Sequence, residues 1–180
     1  MNNKSVVVTT IGFMCLGLVI WMDNLQFAGW VSGPSMYGMA MEFALGSVLL
    51  GVISILTLFH GRTLDAIIFF GAAGYFWTMT HSGHAANGGA AAWFWLLWAV
   101  FVFYVWLGSF KAGWARWLFL LAAWLSLLSG CLLNWTGTAF FNTLGGYLGL
   151  IAGLTAIYIS AATILNHSNG KEVLPTGSKD

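Results

Sequence analysis

Apolar residues come in long unbroken blocks along this chain, rather than at the alternating or three-to-four-residue intervals of a half-exposed strand or helix. Six blocks, 5–22, 36–58, 64–81, 91–109, 115–133 and 143–165, are separated by short polar connections. Each holds close to the 20 or so residues that a helix needs to cross a hydrocarbon core about 30 Å thick. The pattern therefore predicts an all-α membrane protein of six transmembrane helices, one domain over 1–165, followed by a polar tail over 166–180. The first block follows a basic residue as a signal peptide would. No A-x-A-like cleavage site comes after it, so it is expected to be the first helix.

The connections differ in chemistry. Lys4, Arg62, Lys111, Arg116, Lys171 and Lys179 fall in the N-terminus, the second and fourth loops and the tail. The loops around Asp23 to Pro34, His81 to Gly89 and Asn134 to Asn142 have neither Lys nor Arg. Basic residues stay on the cytoplasmic side of a membrane. Both termini are thus expected in the cytoplasm, an orientation that five or seven spans would break.

Composition agrees with burial in lipid. The 180 residues are 59% hydrophobic and 6% charged, too few ionic groups to dress a water-facing surface, and eleven Trp suit the membrane boundary. Six scattered cations make no phosphate-binding face, so nucleic acid is excluded as a partner. Cys15 and Cys131 lie in apolar runs and imply neither a disulfide nor a metal. The acids are too few and too scattered for an acid and base pair, and no phosphate-binding loop appears. An enzyme is not expected, nor a cofactor.

Small residues at four-residue spacing mark the faces on which membrane helices meet. Gly145, Gly149 and Gly153 have that spacing, Gly38 and Gly46 share a face eight apart, and Gly71 and Gly74 lie in the third block. Between Gly38 and Gly46, on their face, stands Glu42, about 9 Å along its helix from Met36 at a rise of 1.5 Å per residue. An acid inside a membrane span is costly and is by default a functional residue. Glu42 is accordingly a proton-linked candidate, weighed against a neutral Glu bonded between helices. His81 and His84 share one turn but lack a carboxylate or thiol, a poor metal site. Asn134, Thr155, Tyr158 and Ser160 are the polar groups of the last two helices and candidates to line a path.

The segment Gly145-Gly-Tyr-Leu-Gly-Leu-Ile-Ala-Gly-Leu-Thr-Ala-Ile-Tyr158, with Leu165-Asn166 and Gly170-Lys-Glu-Val-Leu-Pro-Thr-Gly177 after it, resembles the end of the acetate uptake transporter family. That family includes bacterial succinate–acetate transporters and yeast acetate and ammonia-export proteins. Gly61-Arg-Thr63, Gly74-Tyr-Phe-Trp77, Asn134 and Gly12-Phe13 extend the likeness over nearly the whole chain. The resemblance implies a six-helix protomer with its own pore, a hexamer, and transport of acetate, similar short monocarboxylates or succinate together with protons. It places a pore constriction at Phe13, Ala73 and Ala123, and a substrate path along Asn134, Thr155, Ala156, Tyr158 and Tyr75. Three features depart from the family pattern. The N-terminal signature is replaced by Asn3-Lys-Ser-Val-Val-Val-Thr-Thr-Ile-Gly12; of the constriction only the Phe is kept, so Tyr75 or Trp124 is a candidate to close the gate; and Glu42 stands in place of a Gly.

Two other functions stay open at this stage. One is a pore for a neutral solute such as ammonia, urea or a short amide, which the loss of the constriction Tyr favours. The other is a non-transporting membrane scaffold held by its glycine faces.

Overall fold

The computed structural model describes residues 3–32, 36–82 and 89–177; His84 and Lys179 lie outside them. Six long helices form: α1 Asn3–Phe27, α2 Met36–Phe59, α3 Thr63–Ser82, α4 Gly89–Gly108, α5 Trp114–Thr136 and α6 Ala139–Asn169. No strand occurs among the described residues. All but α3 are long and apolar enough to cross a membrane. Asp65, His81, two glycines and three threonines interrupt the apolar run of α3.

The helices run past the apolar blocks because a polar residue next to a membrane span still forms its helical hydrogen bonds. α1 continues through Asp23 and Asn24, where a loop was expected, and α6 continues to Asn169. Asn24 stays helical by donating its amide to the carbonyl of Ile20 at 2.8 Å. Within α2, Glu42–Leu49 forms a π-helical stretch, and Ser47 Oγ donates to the Glu42 carbonyl at 2.9 Å, five residues back. Such widened turns gather at functional positions in helices. α5 ends at Gly137, whose φ of 67° lets its N–H return to the Leu133 carbonyl at 2.8 Å.

α1 and α6 pack along each other, α6 also against α5, and α5 against α4. The glycine stripe of α6 explains the close α1 contact. A side chain on Gly149 would collide with the Asn24 amide, one on Gly146 with the backbone of Phe27 and Ala28, and one on Gly153 would sit 3.0 Å from Trp21 N. Gly145 turns instead toward Ser129 of α5, and Ser126 Oγ donates to its carbonyl at 2.8 Å. Gly46 of α2 receives Phe76 of α3. These glycine faces are thus spent inside the bundle. Cys15 and Cys131 are free and buried.

Candidate functional site

Five of the six helices line a cavity of about 120 Å³. α1 supplies Leu16, Ile20, Asp23 and Phe27, which recur every third or fourth residue and so share one face of the helix. α3 supplies Ile68, Ala72, Tyr75 and Phe76, and α4 supplies Trp95, Trp98 and Phe101. Phe119, Ala123 and Ser126 of α5 and Asn142, Gly145 and Gly149 of α6 complete the wall. The lining is mainly apolar and aromatic. Its polar groups are Asp23, Asn24, Tyr75, Ser126, Asn142 and the indole N–H groups, with no Lys, Arg or His among the described residues.

Tyr75 stands in a cage of rings, with Phe94, Trp95 and Trp98 at centroid distances of 6.1, 6.0 and 5.8 Å. Close to it is an acidic pair. Asp23 and Glu42 are both buried and their side chains are hydrogen-bonded, which joins α1 to the first residue of the π-helical stretch within α2. Gln26 Nε2 also donates to Asp23 Oδ1 at 3.5 Å. A hydrogen bond between two carboxyl groups needs a proton between them. The arrangement has the geometry to share one proton between the two carboxyl groups.

At the opposite end, Leu16 and Phe119 are the last lining residues before Phe13. Phe13 is fully buried, and its ring meets Phe69 at 5.0 Å and Phe119 at 6.1 Å, edge to face in both cases. Beyond it lies Arg116, with its guanidinium carbon 5.5 Å from the Phe13 centroid. Arg116 Nε and Nη2 donate to Asp65 at 3.0 and 3.3 Å, and Arg62 Nε donates to the same carboxylate at 2.7 Å. One acid of α3 thus holds an arginine from the turn just before that helix and one from α5.

A second cleft, of about 450 Å³, opens on this far side. Its wall includes Val6, Arg62, Arg116, Thr163, Asn166, His167, Lys171, Glu172 and Thr176. Residues 170–177 fold back to form part of it, although the sequence suggested only a polar tail there. Asn166 donates to the Leu174 carbonyl at 2.8 Å and accepts the N–H groups of Val173 and Leu174 at 2.7 and 2.8 Å. Tyr158 Oη donates to the Pro175 carbonyl at 2.8 Å.

Of the expected constriction, only Ala123 lines the cavity. Phe13 sits just past its end, and Ala73 turns toward Gly51 of α2, leaving Ala72 and Tyr75 on the wall. Of the expected path, Tyr75 lines the cavity, while Ala156 is buried in the core and Thr155 Oγ1 returns to its own helix at Ile151. Asn134 likewise bonds the Gly130 carbonyl at 2.9 Å, and Tyr158 anchors the C-terminal segment. Trp124 stacks on Trp106 at 5.8 Å, between α4 and α5. Glu42 is not on the wall but touches it through Asp23. Sequence reasoning missed Asp23, Asp65 and Arg116. The spacing of Asp23 from Leu16 and Ile20 carried a signal for the first; nothing local marked the α3–α5 pairing.

No family model matches the chain. An uncharacterized protein of Methanothermobacter thermautotrophicus is 26% identical over 97% of this chain and 93% of its own length. The succinate-acetate/proton symporter SatP of Escherichia coli K12 is 36% identical over 83 residues, 45% of this chain and 43% of the symporter, so the matched stretch is less than half of either protein. Among solved structures, the bacterial acetate channel SatP superposes with a TM-score of 0.88 over 94% of this chain and 98% of that one, at 22% identity. The fold is shared over nearly the whole chain.

Proposed function

We propose that this protein is a membrane channel or proton-coupled transporter for acetate and similar short carboxylates, succinate included. The observation that carries the reading is a cavity lined by five helices of a bundle that shares its fold with an acetate channel. All six helices span the membrane, α3 being tolerated despite Asp65 because that carboxylate is buried against Arg116. Arg62, Arg116 and Lys171 gather at one end of the bundle, which supports a cytoplasmic face there with both termini on it. The hexamer with one pore per protomer, implied by the resemblance, belongs to this proposal, as does a cytoplasmic (inner) membrane location, where spanning proteins are helical rather than barrels.

The cavity wall also bears on the form in which the solute crosses. A carboxylate entering it would leave water, a cost of several kcal/mol for an unpaired ion, and would meet Asp23 with no cation among the described residues of the wall. The undissociated acid avoids both penalties. Its hydroxyl can donate to the Asp23–Glu42 pair, whose proton makes it both donor and acceptor, so solute and proton cross together. The alternative is a neutral solute such as ammonia, urea or a short amide, and the same lack of cations on the wall favours it. Uptake by proteoliposomes decides: acetate uptake that exceeds leakage and competes with succinate supports the first reading. Urea passage with acetate excluded establishes the second.

A further inference from the structure

The segment after α6 crosses from one helix to another. It turns back at Gly170, whose φ of 63° is the left-handed conformation that ends a helix. Asn166, one turn earlier, clamps the returning chain, donating to the Leu174 carbonyl and accepting the N–H groups of Val173 and Leu174. Tyr158, about two turns before Asn166 on α6, donates to the Pro175 carbonyl, and its ring lies 5.6 Å from that of Trp114 on α5. At the far end the Thr176 carbonyl accepts the N–H of Ala115 at 3.4 Å. Gly177 lies so close to Trp114 that a Cβ there would come within 2.6 Å of the indole Cδ1. Lys171, Glu172 and Thr176 of this segment form part of the wall of the basic cleft, with Val6 and Arg116 elsewhere on it.

The contact with Ala115 falls at a sensitive place. α5 begins after Gly113 with no side chain capping its first turn, and a helix start leaves its first N–H groups without helical partners. The Thr176 carbonyl supplies an acceptor to one of them. The next residue is Arg116, which covers the Phe13 ring and pairs with Asp65. Lys171, Glu172, Val173, Pro175 and Gly177 are exposed, so the segment is held by polar bonds and close contact with Trp114 rather than by burial of its own side chains. Such units open locally at a small fraction of the cost of global unfolding. We propose that residues 170–177 are a detachable strap: docked, it narrows the basic cleft and holds the first turn of α5; released, it opens the way to Phe13. Its effect on solute flux rests on the transport reading above, whereas the opening of the cleft does not.

Two measurements on the full-length protein test the strap. Cys15 and Cys131 are buried. A cysteine introduced as Val6→Cys, at a buried position on the cleft wall, therefore reports access through its rate of reaction with a membrane-impermeant thiol reagent. Tyr158→Phe removes one hydrogen bond from the strap and Asn166→Ala removes three. A net hydrogen bond is worth about fivefold in an equilibrium, so Tyr158→Phe should speed the modification about fivefold and Asn166→Ala further. Cys131, fully buried in α5, should stay unreacted, which separates release of the strap from unfolding. Initial acetate uptake by proteoliposomes should rise in the same order, a gain that a misfolded variant cannot show. Modification at the wild-type rate in both variants overturns the strap. Faster modification while an existing acetate flux keeps its wild-type rate also overturns it. Faster modification with no acetate flux in any of the proteins leaves the strap standing and removes the transport reading, whereas flux with unchanged modification removes the strap alone.

Discussion

The guanidinium carbon of Arg116 lies 5.5 Å from the centroid of the Phe13 ring, so the side chain beyond the end of the inner cavity is capped by the cation that borders the basic cleft. The pairing places an apolar ring and a charged group back to back. A cation over an aromatic face is worth about 0.5–2 kcal/mol depending on its hydration.

Phe13→Ala should remove that ring. Acetate uptake should rise, and carboxylates with longer chains should begin to enter. Truncation of a fully buried Phe should also lower stability by about 3–5 kcal/mol. Uptake of acetate, butyrate and benzoate by proteoliposomes, with thermal unfolding in detergent, checks both expectations. Phe13→Leu should retain most of the stability while admitting butyrate.

Arg116→Gln should destabilise the protein by about 3–5 kcal/mol, because loss of one partner leaves a buried charge less well compensated. Asp65 would keep Arg62 alone. Combining Arg116→Gln with Asp65→Asn should restore part of the loss, since the double variant no longer buries the carboxylate. Thermal unfolding of the four proteins gives the coupling directly, and strictly additive losses would contradict the pairing.

A proton shared between Asp23 and Glu42, as proposed above, gives a sign for the effect of pH. At low pH the pair keeps its proton and its hydrogen bond; at high pH the proton leaves, and two negative charges face each other beside the cavity. Uptake of acetate should therefore fall as pH rises. Glu42→Gln and Asp23→Asn should each flatten that dependence, and the double variant should add little, because either change removes the shared proton. Initial uptake rates at equal concentrations of undissociated acid, measured across pH, isolate the protein's own titration from that of acetate.

The glycine stripe makes a prediction about packing that is independent of transport. Gly149→Ala should cost about 1–3 kcal/mol, since the added methyl meets the Asn24 side chain. Asn24→Ala should rescue it in part. Gly146→Ala has no such rescue, because its methyl meets the backbone of Phe27 and Ala28. Thermal unfolding of the single and double variants distinguishes a collision with a side chain from one with backbone.

The helical class and the positions of the six helices were legible in the sequence because the length of an apolar block and the loops that interrupt it are local properties. The helix ends were less so. Asp23 and Asn24 read as loop, yet Asn24 bonds back to Ile20 and keeps α1 helical. The α6 glycines were legible as a packing face, but their partner in α1 was not. The site was the least legible part, since it depends on rotation about each helix axis. One position of rotation on α3 decides that Ala72 and Tyr75, rather than Ala73, face the cavity. Likewise Asp65 and Arg116 are 51 positions apart, and no local pattern foretells that they meet. Glu42 stood out as a membrane acid, while its partner Asp23 was hidden by being placed outside the span.

The most direct measurement is acetate uptake into proteoliposomes with and without an imposed proton gradient, with labelled urea as the comparison solute. Uptake of acetate accelerated by an inward proton gradient, above that of protein-free vesicles and without passage of urea, is the predicted result. Rapid urea entry with acetate excluded in both conditions would contradict the account.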